Sequence, residues 1–292
     1  MDIVFVVLNY NVYQETIDCV ESIRANIDTS KYHIIIVDNA SLNKVGERLK
    51  EHYQMISNVT VIDSKVNLGF ARGNNLGINY AKENFSPRFV CCLNNDTLLE
   101  KKDFYINLEC GFERTKAAII GPKVILNNGE VQKFYCEILS IYEYKKQLLY
   151  LWFNGTYVRK IRKIILNIIG ERKFRHIFDI FRNNIKDIKN DKYFNEERSD
   201  VVLHGCCLIF TPEFLSNANG FDERTFMFKE EELLYIMIKK LGLHTLYLPE
   251  IEIKHLEDIS TNTVYKDEEK KYAFMRKNQI LSLIVLMKEL SR

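Results

Sequence analysis

Two short stretches carry side chains whose chemistry exceeds what a turn or a helix cap needs. In "FVCCLNNDTLLE" (Phe89–Glu100), five apolar residues run directly into Asn94, Asn95 and Asp96 before Leu98 and Leu99 resume the hydrophobic pattern. An Asx turn accounts for the polarity alone. A carboxylate at the end of a buried strand also suits a divalent cation. Mg2+ and Mn2+ favour oxygen ligands, and Mg2+ is commonly held by one or two carboxylates with substrate phosphates completing its shell. With Asp96 flanked by neutral amides, the substrate has to complete such a site. In "FKEEELL" (Phe228–Leu234), Glu230, Glu231 and Glu232 open a predicted helix. Acids favour helix N-termini, but three in a row are more than that needs. One of them held in a cleft, its pKa raised by burial or like charges, can serve as a general base.

Three weaker signals accompany these. Asp38 closes "IIIVDNAS" and reads alone as a cap for the following helix, or else as a carboxylate accepting from a nucleotide base or ribose. "NLGFARGNNLG" has glycines at 69, 73 and 77 beside Arg72. It is neither G-x-G-x-x-G nor a P-loop, which counts against kinases, P-loop ATPases and dinucleotide enzymes. Its glycines let a loop turn, or let backbone approach a ligand with Arg72 near phosphate. His255 ends the run "IEIKH"; a lone histidine is usually structural, and this one gains weight by closing another strand of the same edge.

The elements that must position these residues are legible as alternation. "IVFVVLN", "HIIIVDN", "VTVID" and "FVCCLNND" are short β-branched runs, and helical spacing recurs between them, as in Ile17, Val20, Ile23 and Ile27. Continuous apolar strands separated by helices predict an α/β fold with a mostly parallel sheet covered on both faces. Ligands bind such sheets beyond the carboxyl ends of the strands. Four strands end there in polar groups: Asn9 and Asn11, Asp38 and Asn39, Asp63 and Ser64, and Asn94 to Asp96. Further on, "VVLHGCCLIFT" predicts two strands or one bent at Gly205. A helix is expected from about 230 to 241, strands near Leu246 and over 251–255, and a last helix from about 268 to 290.

The chain has 292 residues, 47% hydrophobic and 27% charged, enough for a large core, and its length fits one large α/β domain or two small ones. A net charge of +2 does not mark a nucleic-acid binder. The seven cysteines form no C-x-x-C pair, and the adjacent pairs 91–92 and 206–207 read as core filler on opposite strand faces. An odd cysteine count, no secretory start and no apolar run near the roughly 20 residues of a membrane span predict a cytoplasmic protein.

As an ordered set, "VVLNYN", "IIIVDNAS", "NLGFARGNNLGI", "LNNDT", "HGCCLIF", "GFDERTFMFKEEELL" and "HLEDIST" resemble the family 2 inverting glycosyltransferases, most closely their rhamnosyltransferase-like branch in bacterial surface polysaccharide synthesis. The match covers residues 1 to about 125 and 200 to about 262. The resemblance implies the GT-A fold, a single Rossmann-like nucleotide-binding domain, with a nucleotide-sugar donor and Mg2+ or Mn2+. It implies that Asn9 and Asn11 border the donor pocket, Asp38 meets the base, and Asn67, Gly69 and Asn74 shape the donor loop with Arg72. It puts Asn94, Asn95 and Asp96 at the D-x-D-type metal motif, His255 beside the metal and Gly205 beneath the sugar. Glu230 and Glu231 match the family's Glu-Asp pair, whose second acid is the usual base. Asn94 replaces the motif's first acid, Glu231 the more usual Asp, and Leu233 a further expected acid. The absence of Q-x-x-R-W favours transfer of one sugar to a glycan or lipid-linked acceptor. The competing readings are a sugar nucleotidyltransferase, which would show a Gly-rich basic loop near the N-terminus, and a catalytically silent nucleotide-sugar binding subunit.

Residues 1–262 are therefore expected to form the GT-A domain, interrupted at about 140–198 by a helical insertion, with 263–292 a C-terminal helix. Between Lys145 and Lys189, twelve Lys and Arg stand against three Asp and Glu, interleaved with Leu, Ile, Phe and the only tryptophan, Trp152. Such a segment either packs its apolar stripe on the domain or lies on an anionic membrane surface.

Overall fold

The computed structural model describes residues 1–132, 137–153, 194–256 and 268–292. It is an α/β protein built on a sheet of nine strands among these residues. The first half alternates as its sequence predicts: β1 (Ile3–Asn9), α1 (Gln14–Asn26), β2 (Tyr32–Asp38), α2 (Val45–Tyr53), β3 (Val59–Asp63), α3 (Gly69–Phe85), β4 (Phe89–Asn94), the short β5 (Thr97–Leu98), α4 (Phe104–Thr115) and β6 (Ile119–Leu126). There follow α5 (Ile141–Phe153), β7 (Arg198–Ser199), β8 (Cys207–Phe210), the one-turn α6 (Pro212–Leu215), α7 (Glu230–Lys240), β9 (Thr245–His255) and α8 (Glu268–Leu290). The sheet order is β3-β2-β1-β4-β8-β6-β9-β5, with β7 also on β9. Strands β3, β2, β1 and β4 are mutually parallel, β8 is inserted antiparallel between β4 and β6, and β6 and β9 are again parallel.

The two-residue period of the strands sorts the core. Ile3, Phe5 and Val7 of β1 and Ile34 and Ile36 of β2 face one layer, with α1, α2 and α4. Val4, Val6, Ile35 and Val37 face the other, with α3, α6 and one side of α7. The other side of α7 makes a smaller third cluster in which Leu233 and Ile236 pack with Tyr144 of α5 and Leu283 and Leu286 of α8. This explains Leu233, where the family resemblance expects an acid: it is 2% exposed under two helices, and an unpaired carboxylate there would be costly. Cys91 and Cys92 do face opposite layers, but Cys206 and Cys207 share one, because Cys206 lies just before β8. The Cys91 and Cys207 sulfurs are 3.7 Å apart as free thiols.

Three sequence expectations are refined. Only Cys207–Phe210 of "VVLHGCCLIFT" is strand. The strands expected near Leu246 and over 251–255 are one, β9, whose register against β6 jumps from Pro122↔Leu248 to Lys123↔Glu252; Pro249, which has no N–H for the ladder, lies within that jump. Gly73 and Gly77 do not turn a loop: they are helical and seat α3 on the sheet, where a Cβ at 77 would stand 2.3 Å from Val6 Cγ1. Of the expected insertion, α5 is a helix packed on α8; residues 154–193 lie outside the described residues. Among the described residues no helix is long and apolar enough to cross a membrane.

Gly77→Ala is expected to lower the unfolding free energy by ~1–3 kcal/mol through overpacking at Val6, read as a lower urea midpoint with an unchanged m-value.

Candidate active site

The parallel register brings the polar strand ends together: Asn9 pairs with Asp38, Asp38 with Asp63, and Leu8 with Asn94. Asn9 is fully buried. Its amide donates to Asp38 Oδ1 (2.7 Å) and Ser41 Oγ (3.3 Å), and its Oδ1 accepts from Thr16 Oγ1 (3.0 Å) and Asn95 Nδ2 (3.2 Å). Asp38 does not cap α2. Its Oδ2 accepts from the Ser41 amide (3.0 Å) and so shapes the loop after β2. Asn11, at φ 63°, fastens to the same loop: its amide donates to Ser41 Oγ (2.7 Å) and its Oδ1 accepts from the Leu42 amide. Asn67 Oδ1 accepts from the Gly69 amide, and Asn39 bridges to Leu68 N–H and the Gly69 carbonyl. Asn74 donates to Phe70 O within α3, and Arg72 is exposed on the same helix. The structure thus brings Asn9, Asn11, Asp38, Asn67 and Gly69 onto one edge, with their side chains largely occupied in holding its loops.

Beyond β4, the three residues of "NND" diverge. Asn94 lines a cavity of about 640 Å3. Asn95 turns inward to Asn9 and Thr16. Asp96 is buried, and its Oδ1 lies 3.3 Å from His255 Nε2 without hydrogen-bond geometry and with no other partner. The pairing of Thr97 with His255 in β5 and β9 enforces this approach. His255 Nδ1 is 2.8 Å from Gln132 Oε1. If Nδ1 carries the proton toward that acceptor, neutral Nε2 turns its lone pair to Asp96. An unpartnered carboxylate oxygen and an oriented imidazole fit a divalent cation. Among the described residues no group of three or more His, Cys, Asp or Glu forms a fuller ligand set, so bound phosphate would have to supply ligands.

The cavity runs from Asn94, His204, Gly205 and Cys206 past Glu230 and Glu231 to a wall of Leu139, Tyr150 and Leu151 around α5 and Leu283 of α8. Gly205 and Glu231 are in intimate contact: a Cβ at 205 would stand 2.1 Å from Glu231 Oε1. Burial pushes the Glu231 carboxyl up to about 7, with the charge of Glu232 adding to it. Glu230, 3% exposed and with Oε1 lacking a hydrogen-bond partner, is pushed up to about 8 by burial and then by Glu231. Glu232 is instead paired with Lys229 (2.5 Å). Phe228 and Lys229, immediately before α7, are both left-handed (φ 75° and 69°), a conformation costing non-glycine residues roughly 1 kcal/mol or more each. His204 was not read from the sequence, although it adjoins Gly205. Its Nδ1 accepts from the Cys206 amide (3.2 Å), and burial with the neighbouring His255 holds it down at about 4.

A sheet whose strand ends gather amides and carboxylates, beside a cavity lined by the buried Glu230 and the half-buried Glu231, defines a GT-A type α/β protein. The chain belongs to glycosyl transferase family 2, whose family model matches residues 4–166, more than half of its length. No curated protein matches. Among solved structures, a 1–349 fragment of S. aureus TarS is similar at 12% identity (TM-score 0.52; 98% of this chain, 71% of that one). GalNAc-T7 with UDP, GalNAc and Mn2+ is similar at 14% (TM-score 0.57; 92% of this chain, 44% of that one). A longer S. aureus TarS structure is similar at 13% (TM-score 0.53; 96% and 43%). The chain spans less than half the length of the last two.

The raised glutamates have a thermodynamic signature. Their folded pKa values, about 7 and 8, exceed the unfolded value near 4.5, so the folded state holds its protons more tightly. Stability falls as pH rises from about 4.5, where the unfolded chain ionises, to about 8, where the folded state does. Urea unfolding from pH 5 to 8.5 is expected to show this decline, and Glu230→Gln to make it shallower.

Proposed function

We propose that this protein is an inverting glycosyltransferase that moves one sugar from a UDP- or dTDP-linked donor to a hydroxyl of a glycan or lipid-linked acceptor in surface polysaccharide synthesis, with the rhamnosyltransferase-like branch as its closest kin. The observation that carries this reading is the Glu231 carboxylate, held against Gly205 in a cavity that Asn94 shares. We place the GT-A domain at 1–262, with an insertion at about 140–198 and a C-terminal segment from 263 whose described part is α8. The donor lies along Asn9, Asn11, Asp38, Asn67, Gly69, Arg72 and Asn74, with Asn94 and Asn95 at the turn and Gly205 under the sugar. The GalNAc-T7 structure with UDP and Mn2+, and the TarS structure with UDP, support a nucleotide-linked donor.

Asp96 and His255 would hold Mg2+ or Mn2+. Bound there, the cation supplies Lewis-acid compensation for charge on the departing diphosphate. The chain does the rest. Glu231, ionised, accepts the proton of the acceptor hydroxyl. That oxygen bonds to the anomeric carbon from the face opposite the diphosphate, which leaves with the electron pair of the broken C–O bond. A base with its pKa near 7 is matched to this task. Glu230, more deeply buried, is the reserve base.

A thermal-shift screen of nucleotide sugars with Mg2+ or Mn2+ identifies the donor, since a ligand at 100 times its Kd adds ~2.7 kcal/mol of stability. With that donor, Glu231→Gln is expected to keep binding and lose transfer by ~10²–10⁴-fold. Asp96→Ala is expected to lose the cation-dependent part of nucleoside diphosphate binding in calorimetry. Binding without turnover in the wild type would make the protein a silent subunit. A dead Glu230→Gln beside an active Glu231→Gln would transfer the base role to Glu230.

We also place the enzyme on an anionic membrane surface through residues 145–190. The described part of that segment, 145–153 of α5, supports this by exposing Leu149, Trp152 and Phe153 beside Lys145. Co-sedimentation with vesicles is expected to rise with anionic lipid and fall with salt; binding that ignores both overturns the placement.

A further inference from the structure

The turn that carries the glutamates is pinned from two sides. Its Phe226 carbonyl accepts from the Phe70 amide (2.8 Å) at the start of α3, and it leaves no space beside Gly69, where a Cβ would stand 2.2 Å from that oxygen. The next carbonyl, Met227, accepts from Ser282 Oγ of α8 (2.8 Å). Ser282 is a buried polar residue, 1% exposed. About two turns earlier on the same helix, Phe274 sets its ring edge-on to Phe226, centroids 6.0 Å apart. Immediately after these two anchors come the left-handed Phe228 and Lys229, and then Glu230 and Glu231 at the first turn of α7. Two consecutive bulky residues in that conformation persist only where the surroundings over-determine them. Here the determinants on one side belong to the donor edge and on the other to the C-terminal helix.

We propose that Ser282 is a positioning residue for the general base, so that α8 belongs to the active site rather than merely covering it. Its hydroxyl holds the Met227 carbonyl and keeps the strained turn from relaxing, and the turn in turn holds the Glu231 carboxylate against Gly205. The same turn is bonded to Phe70 at the head of the donor loop, so donor edge and base are fixed to one backbone segment. This inference rests on the glycosyltransferase reading for its kinetic consequence, but not for its structural one.

The experiment compares Ser282→Ala and Ser282→Thr with the wild-type full chain in two measurements. Hydrogen exchange of peptides covering 226–232 is expected to quicken at least tenfold in Ser282→Ala, with peptides of β1 and β2 unchanged, and to return toward wild type in Ser282→Thr. Steady-state transfer with the donor found by the screen is expected to lose at least tenfold in kcat, with donor KM within twofold, and to be rescued by Thr. Unchanged exchange in Ser282→Ala overturns the proposal, and so does an equal loss carried by donor KM. If the protein transfers no sugar, the exchange result still decides whether Ser282 holds the turn, so failure of the functional reading is told apart from failure of this one. Should Ser282→Ala not fold, Phe274→Leu, which loosens the second contact of α8 with the turn, is expected to give the same kcat-only loss and quickened exchange. Wild-type values in that variant overturn the proposal.

Discussion

The buried carboxamide of Asn9 is the constraint on which the site depends. All four of its hydrogen-bonding capacities are used: two donations to Asp38 and Ser41, two acceptances from Thr16 and Asn95. Leaving one such buried capacity empty costs ~1–3 kcal/mol, so β1, β2, α1 and the turn after β4 cannot shift independently. Because Asn95 is held inward, Asp96 is carried the other way, toward His255 on β9. A side chain that touches no reacting group in the proposed mechanism thereby decides where the Asp96 carboxylate, the proposed cation ligand, stands.

The polar groups left unsatisfied are not scattered. Among the described residues, buried side-chain atoms without a partner are found on Tyr53, Asp96, Thr225 and Glu230, and all but Tyr53 lie at or beside the site. Other asparagines close loops, as Asn39, Asn67 and Asn75 do. Tyr53 aside, the described part of the fold leaves buried polar groups unsatisfied only around its cavity, where a ligand can complete the bonding. The left-handed pair Phe228 and Lys229 adds backbone strain in the same place.

Much of this was legible in the residues themselves. Strand identity followed from β-branched runs, and the common edge followed from their shared polar endings, because parallel pairing aligns like ends. The start of α7 was marked by its acids. What escaped reading depended on contacts between distant segments. The close approaches at Gly73 and Gly77 require knowing that α3 lies on Val6 and Leu8. Leu233 looked like a missing acid until α5 and α8 were seen to cover it. Asn95 is one residue from Asn94 yet faces the interior, where its amide meets Asn9 and Thr16, distant in sequence. Ser282 carries no motif, and only the position of α8 beside Met227 gives it meaning. The expected donor and catalytic assignments remain matters for the measurements above, but their spatial convergence did not need guessing once the register was known.

Trp152 is the only tryptophan in the chain. It lies near the end of α5, 66% exposed, with its ring set edge-on to Phe153. The indole emission of this protein therefore reports on the outer helical layer and not on the sheet. Its spectrum starts close to that of a solvated indole, so loss of the core alters it little, and circular dichroism is the better record of global unfolding. The same remoteness makes it a quiet background against which anything apolar that settles over α5 declares itself as a blue shift, without a label having to be attached.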